Sequence, residues 1–386
     1  MNLLISSGEA SGDIYGSRLL RALSRRRPGM DFFGMGGARL KEAGLERLVA
    51  SEAISVVGIF EVFAKLPAIR KALAALEQAA RQRRPVAAVL IDFPDFHALL
   101  ARRLARLGIP LIYYVSPQVW AWRAGRARTI AARARRIITL FPFEAEIYRR
   151  YGADAVCAGH PLVDDVREGL EGPAVLPAPA PGRRRLVLLP GSRRGEIERH
   201  WKPMVEASTR LAERFDLDLV AVRAPGLPPA LFASGASRGI RVVDGGLHPL
   251  LAGADLAFVA SGTATLEAAL CSTPMVMLYR TSPASAAIGR LLIRVPWISL
   301  VNIVGGETIV PELLQGEANA SRLEKEGAAI LESPERARVM REALARVSDR
   351  LGPPGATDRA ADAVLQAIET PAASEEAGGA LVGERG

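Results

Sequence analysis

Short, uniformly apolar runs alternate along this chain with longer segments whose apolar side chains recur at helical spacing, and few folds accept that alternation. In the first half the runs are Asn2–Ser6, Asp31–Gly34, Val86–Ile91, Pro110–Val115 and Arg136–Leu140. In the second half they are Leu186–Leu189, Leu217–Ala221, Ile240–Val243, Leu256–Val259 and Met275–Leu278. Between them, Gly16–Arg26, Ile69–Arg83 and Pro203–Arg214 carry the helical period. A strand apolar on both sides must be covered on both sides, so the predicted fold class is α/β, with doubly wound parallel sheets between layers of helices. In such sheets ligands bind beyond the carboxyl ends of the strands, which makes the loops that follow strands the place to look for chemistry.

The chain has 386 residues, and at roughly 150 per domain that predicts two or three domains. Glu171–Arg185 holds four prolines between positions 173 and 181 and forbids regular structure. The expected division is therefore an N-terminal Rossmann-like domain over 1–170, a Pro-rich linker over 171–185 and a C-terminal Rossmann-like domain over 186–355. A last helix over 356–370 and a disordered, Gly-rich tail over 371–386 follow. Two doubly wound halves facing one another would hold ligands in the cleft between them. With only Cys157 and Cys271, a disulfide scaffold and a four-cysteine zinc site are excluded. The opening residues read as a strand without a basic leader. The longest uncharged run, Leu107–Trp122, is shorter than the roughly 20 residues of a spanning helix. A soluble protein of a reducing compartment is expected.

Net charge is +9, and of the 50 basic residues only positions 41, 65, 71, 202 and 325 are lysine. Either a compositional bias toward Arg, Ala, Gly and Pro explains this, or an affinity for anionic partners does. An aromatic content of 5% and the lack of zinc-finger or RNA-recognition patterns weigh against nucleic acid, leaving phosphate groups and membrane surfaces.

Five segments stand out. In Leu188-Leu189-Pro190-Gly191-Ser192-Arg193-Arg194-Gly195-Glu196 a strand turns through Pro and Gly into a polar helix. Gly191 admits close backbone approach, Ser192 suits a cap, helix-start amides attract an anion, and Arg193 adds a planar fork for phosphate oxygens. The alternative is a capped turn with solvated arginines. Ala260-Ser261-Gly262-Thr263-Ala264-Thr265-Leu266-Glu267 repeats the theme, either as a phosphate or ribose loop with Glu267 accepting sugar hydroxyls or as an ordinary helix cap. In Ile91-Asp92-Phe93-Pro94-Asp95-Phe96-His97, Asp92 reads as a helix cap before Pro94. Asp95 then points from the first turn toward the cleft, where a general base belongs, or merely complements the helix dipole. His97 reads as structural. Gly8-Glu9-Ala10-Ser11-Gly12-Asp13 and Gly34-Met35-Gly36-Gly37-Ala38-Arg39 both miss the Gly-x-Gly-x-x-Gly dinucleotide fingerprint, which disfavours a nicotinamide dehydrogenase.

Ser55–Leu66 gathers Val57, Ile59, Phe60, Val62, Phe63 and Leu66 beside Lys65, Arg70 and Lys71, the pattern of either core packing or an interfacial segment with a basic rim. Arg290–Trp297 has the same chemistry.

Taken with Gly58-Ile59-Phe60-Glu61-Val62, Tyr114-Val115-Ser116-Pro117-Gln118-Val119-Trp120-Ala121-Trp122-Arg123, Tyr279-Arg280 and Val301-Asn302-Ile303-Val304, these loops resemble the lipid-A-disaccharide synthase family over about residues 2–368. The resemblance implies a GT-B glycosyltransferase with the nucleotide in the C-terminal half and the acceptor in the N-terminal half. It implies inverting transfer of 2,3-diacylglucosamine from UDP to 2,3-diacylglucosamine 1-phosphate (lipid X), giving the β-1,6-linked tetraacyl disaccharide 1-phosphate and UDP. It further implies a cytoplasmic protein bound peripherally to the inner membrane, with no metal, no other cofactor and no nucleic-acid partner. At Arg194 the chain departs from the family pattern, which often has Gly.

On that reading Asp95 is the base and Asp92 orients its loop. Gly191, Ser192, Arg193, Ser261, Gly262, Thr263 and Arg280 stabilise the leaving diphosphate, while Glu267 and Asn302 meet ribose and uridine. Glu9, Ser11, Trp122 and Arg123 lie on the acceptor side, and His160, near the hinge, reaches the diphosphate or orders the linker. The rivals are another GT-B enzyme using UDP-N-acetylglucosamine, of the peptidoglycan glycosyltransferase or 2-epimerase type, and a non-enzymatic basic protein of membrane surfaces.

Overall fold

Apolar runs become strands here where both faces are buried. The structure is a computed structural model and describes residues 1–54, 59–116, 124–282 and 296–370, the side chains of residues 10, 59–64 and 124 excepted. The chain forms two units, Met1–Pro161 together with the segment from Gly355, and Leu162–Pro354.

The first unit holds β1 (Asn2–Ser7), β2 (Asp31–Gly36), β3 (Glu46–Ala50), β4 (Ala87–Ile91), β5 (Leu111–Tyr114), β6 (Ala134–Thr139) and β7 (Ala155–Cys157). They make a seven-stranded sheet in the order β3-β2-β1-β4-β5-β6-β7, and every pairing is parallel. All of β4 is buried, as a central strand covered on both faces must be. The second unit holds β8 (Arg184–Leu189), β9 (Leu217–Arg223), β10 (Arg241–Asp244), β11 (Leu256–Ala260), β12 (Met275–Tyr279) and β13 (Glu312–Leu314). These form a six-stranded parallel sheet in the order β10-β9-β8-β11-β12-β13. Both units are Rossmann-like, as expected.

Three strands escape the apolar-run reading, and all three lie at sheet edges: β3, β7 and β13. An edge strand is only half covered, so β3 (Glu-Arg-Leu-Val-Ala) is nowhere fully buried and its sequence need not be apolar. Helices begin earlier than their periodicity, at Ala10, Ile59 and Arg194, and Pro67 and Pro203 lie inside helices rather than opening them. An internal proline forfeits a backbone hydrogen bond, on the order of 3 kcal/mol. In the helix Arg194–Arg214 the burial of Ile197, Trp201, Met204, Val205 and Leu211 against its sheet offsets that loss.

The division between units falls at Pro161–Leu162, ahead of the Pro-rich stretch and not at position 170. The helix Leu162–Glu171 buries Leu162 and Val166 and packs on the helices Leu247–Ala252 and Ala264–Leu270 of the second unit, so its apolar stripe decides its allegiance. Conversely, the helix Ala356–Glu369 packs on the helix Ala10–Arg26 and on β6. Its stripe of Ala356, Ala360, Ala361, Ala363, Val364 and Ala367 is buried. Arg26 bonds Asp362 at 2.6 Å and Asp358 at 2.7 Å, and Arg359 donates to the Ala158 carbonyl at 2.8 Å. The tail over 371–386 and the segment 290–295 lie outside the described residues.

If burial of that stripe is what completes the first unit, Val364→Asp, which places an unpaired charge at a fully buried position, should cost about 3 kcal/mol or more. Urea unfolding measures it; an unchanged midpoint would show that the helix does not dock.

Candidate active site

A sheet whose strand order reverses leaves a crevice where the loops leave in opposite directions. In the first unit the reversal lies between β1 and β4, which pair through Ser7 and Ile91. The loops there are Gly8–Ser11 and Asp92–Pro94. In the second unit it lies between β8 and β11, which pair through Leu189 and Val259, and the loops are Pro190–Arg193 and Ser261–Thr263. Four of the five segments singled out from sequence therefore flank a reversal point, and Gly34–Arg39, after β2, does not.

In the first unit Asp92 and Phe93 are consecutive non-glycine residues with positive φ, 53° and 57°. Such conformations cost about 1–3 kcal/mol each and persist only where surroundings enforce them. Asp92 is half-buried. Its carboxylate accepts from the Ser11 hydroxyl at 3.1 Å and from the Phe93 amide at 2.9 Å. Burial raises its pKa above the ordinary 3.8, the two hydrogen bonds only partly opposing it. Asp92 is thus not the helix cap: the cap position belongs to Phe93, whose ring stacks on Phe96. Gly8 is required by that ring, since a Cβ there would lie 2.1 Å from Phe93 Cδ1. Asp95 does sit in the first turn, but its side chain is 82% exposed and paired with Arg126. Glu9 occupies the exposed cap position of the helix Ala10–Arg26, and Asp13 accepts from the Gly37, Arg39 and Leu40 amides at 2.7–3.2 Å.

His97 is 1% exposed, with Ser6 Oγ 2.9 Å from Nε2 and the Asp92 carbonyl on Nδ1. His160 is 3% exposed, its ring edge-on to Tyr15 and tilted on Phe141. Burial pushes both imidazoles down to about 4. They are neutral at pH 7, so His160 offers no positive charge to a diphosphate. Val57, Trp122 and Arg123 lie outside the described residues, as do the side chains of Ile59, Phe60, Val62 and Phe63. Leu66 is half-buried.

In the second unit the Pro190–Arg193 turn has Gly191 at φ 125°, and Arg193 caps the helix Arg194–Arg214. Glu196 takes the amides of Ser192 and Arg193 at 2.8 and 3.2 Å, and its other oxygen meets the Arg193 guanidinium at 3.4 Å. The Ser192 hydroxyl is not the cap, and the two amides expected to face an anion already hold a carboxylate. At the Ser261–Thr263 loop, by contrast, Gly262 has φ 150°, Thr263 is the cap residue, and no side chain satisfies the start of the helix Ala264–Leu270. Glu267 bonds His248 Nε2 at 3.1 Å. Arg280 is exposed, and its backbone amide donates to His200 Nε2 at 2.9 Å while His200 Nδ1 meets the Pro190 carbonyl at 2.9 Å. That buried ring ties the turn after β8 to the segment after β12.

Asn302 is fully buried and fully used: its amide nitrogen donates to the Val310 carbonyl and Glu312, and its oxygen accepts from the Ile309 and Val310 amides. No valence remains for uridine, which corrects that expectation. Sequence reasoning missed Glu196, His200 and His248. The spacing from position 193 to Glu196 is that of a capping box, but an arginine in place of Ser or Thr hides it.

A family model described as lipid-A-disaccharide synthetase matches residues 3–365. The chain belongs to that family. It is 41% identical over 374 residues to the lipid-A-disaccharide synthase of Geobacter sulfurreducens, covering 95% of this chain and 97% of that one. It is 43% identical over 372 residues to that of Anaeromyxobacter dehalogenans strain 2CP-1, covering 94% and 96%. Among solved structures it resembles the calicheamicin glycosyltransferase CalG4, with TM-score 0.62 and 15% identity over 95% of this chain and 98% of that one. It resembles Acinetobacter baumannii MurG with TM-score 0.58 and 12% identity over 95% and 99%. The UDP-GlcNAc 2-epimerase of Neisseria meningitidis gives 0.62 at 11% over 95% and 100%. These share the GT-B fold. The chain is a glycosyltransferase with lipid-A-disaccharide synthase activity.

The imidazoles of His97 and His160 carry a stability prediction. Between pH 6.5 and about 4 the unfolded chain protonates these histidines and the folded chain does not. Stability therefore falls as pH drops through that window, by up to roughly 3 kcal/mol per ring, with the raised Asp92 offsetting part. Urea unfolding at pH 7 and 4.5 tests this; equal free energies would refute it.

Proposed function

We propose that the chain transfers 2,3-diacylglucosamine from UDP to the primary hydroxyl of 2,3-diacylglucosamine 1-phosphate with inversion, and that Asp92 rather than Asp95 is the base. The observation that carries this is the Asp92 carboxylate, held half-buried in a strained backbone at the strand reversal. A base must accept a proton as the hydroxyl attacks, and desolvation raises proton affinity in that direction. Ser11 steadies the carboxylate. Asp95 instead lies exposed, with its carboxylate held by Arg126.

As the bond to the anomeric carbon breaks, negative charge gathers on the departing UDP. The Ser261–Thr263 loop, with its uncapped helix start, and the guanidiniums of Arg193 and Arg280 are the groups proposed to receive it. Gly191 and Ser192 shape the turn that presents Arg193, with Glu196 holding its amides. Glu267 keeps one carboxylate oxygen for ribose while His248 fixes the other. The apolar segment through Val57–Leu66 and the net charge of +9 support binding at the cytoplasmic face of the inner membrane, where the acylated substrates partition. No described helix is long and apolar enough to cross a membrane.

UDP release from purified enzyme, lipid X and its UDP-activated counterpart, with EDTA present, tests reaction class and metal dependence together. Asp92→Asn should lower kcat by about a hundredfold to ten-thousandfold, while Asp95→Asn stays within about tenfold. Because Asp92 must be ionised and its pKa is raised above 3.8, kcat/KM should fall as pH drops through a value above that of an exposed carboxylate. A near-normal rate in folded Asp92→Asn would remove it as the base.

A further inference from the structure

The strained pair Asp92–Phe93 needs something to enforce it, and the first turn of the following helix supplies a candidate. His97 is buried, five residues beyond Asp92, with its ring edge-on to Phe93 and Phe96 at centroid distances of 6.2 and 5.9 Å. A backbone carbonyl can only accept, so the ring nitrogen facing the Asp92 carbonyl, Nδ1, must carry the proton. The ring is neutral and has one N–H, so Nε2 is an acceptor and the Ser6 hydroxyl donates to it at 2.9 Å. The chain of donors runs from Ser6 in β1 through the imidazole to the main chain of Asp92, spanning the two strands between which the order reverses.

We propose that His97 is a positioning residue of the transferase, setting the left-handed backbone of Asp92 so that its carboxylate meets Ser11 and the acceptor hydroxyl. This rests on Asp92 being the base. Freed from the imidazole, Asp92 relaxes toward ordinary backbone angles, its carboxylate swings with it, and the attack geometry is lost. Displacements of about an ångström at such a group cost up to about a hundredfold in rate. The ring itself never touches substrate.

The two ring nitrogens can be mimicked separately. An asparagine places its amide nitrogen near the position of Nδ1, whereas a glutamine reaches the position of Nε2. His97→Asn therefore restores the bond to the Asp92 carbonyl and should keep kcat within about fivefold of the parent. His97→Gln and His97→Leu should lose tenfold or more in kcat, with the KM for the UDP donor changed less than twofold. Ser6→Ala removes only the distal donor and should lie between. Each variant's fold is checked by circular dichroism and urea unfolding, with Asp92→Asn assayed alongside. Should His97→Leu fail to fold, the Asn and Gln pair decides.

Equal losses in His97→Asn and His97→Gln would overturn the proposal, as would a loss confined to KM. A folded His97→Leu enzyme turning over like the parent overturns it whatever Asp92→Asn does. Near-normal turnover by Asp92→Asn instead overturns the base assignment. It takes the positioning role with it, even where the His97 variants are impaired.

Discussion

A parallel sheet buried on both faces has no polar groups to offer along its length, so whatever chemistry it hosts is confined to the ends of its strands. That constraint acts twice in this chain. It sets the Gly8–Ser11 and Asp92–Pro94 loops beside one another in the first unit, and the Pro190–Arg193 and Ser261–Thr263 loops in the second. The central strands cannot tilt or slide without exposing apolar surface, so the loops at their ends start from fixed points. Backbone strain such as that at Asp92 can be held only on such a rigid base.

Within those loops the deciding contest is over hydrogen-bond donors. A helix-start amide binds whichever acceptor is nearest, and at the Pro190–Arg193 turn that is Glu196, not a ligand. The same logic removes Asn302 from the ligand-binding groups, because a buried amide with every valence filled inside the protein gains nothing from a substrate. The buried histidines act alike. His97 and His200 each use one nitrogen to donate to a carbonyl and the other to accept, and burial lowers the proton affinity of both. They serve as neutral bridges between loops, a role available only to a ring whose two nitrogens differ.

How much of this was legible beforehand follows from the same physics. Central strands carry apolar runs because they are covered twice, and the sequence shows every one of them even where charges flank or interrupt the run, as in β6, β8 and β9. The edge strands β3 and β13 are covered less, and Glu46 or Glu312 at their starts makes them read as loop, whereas β7 is only the three residues Ala155–Cys157, too short to show as a run. The strand-end loops were legible because Gly, Pro and hydroxyl residues gather where the chain must turn. The division of labour inside them was not. Asp92 and Asp95 are three positions apart and chemically identical, and only the fold shows that one is half-buried against Ser11 while the other is exposed against Arg126. His200 was invisible for a related reason: its partners are backbone groups, which leave no mark in a sequence.

The electrostatic character of the strand-end loops in each unit suits the direction in which charge moves in the proposed reaction. Glycosyl transfer sends a proton one way and negative charge the other. On the proposed assignment the first unit meets the proton with the Asp92 carboxylate, whose burial opposes ionisation, and burial keeps the His97 ring on the Asp92 carbonyl neutral. On the same proposal the second unit meets the charge with the exposed guanidiniums of Arg193 and Arg280 and with a helix start that no side chain caps, groups that interact more strongly with a diphosphate the further cleavage proceeds. Exchanging the two would defeat both. A desolvated carboxylate beside the diphosphate would repel the leaving group, and a guanidinium beside Asp92 would depress the proton affinity that the proposed base needs.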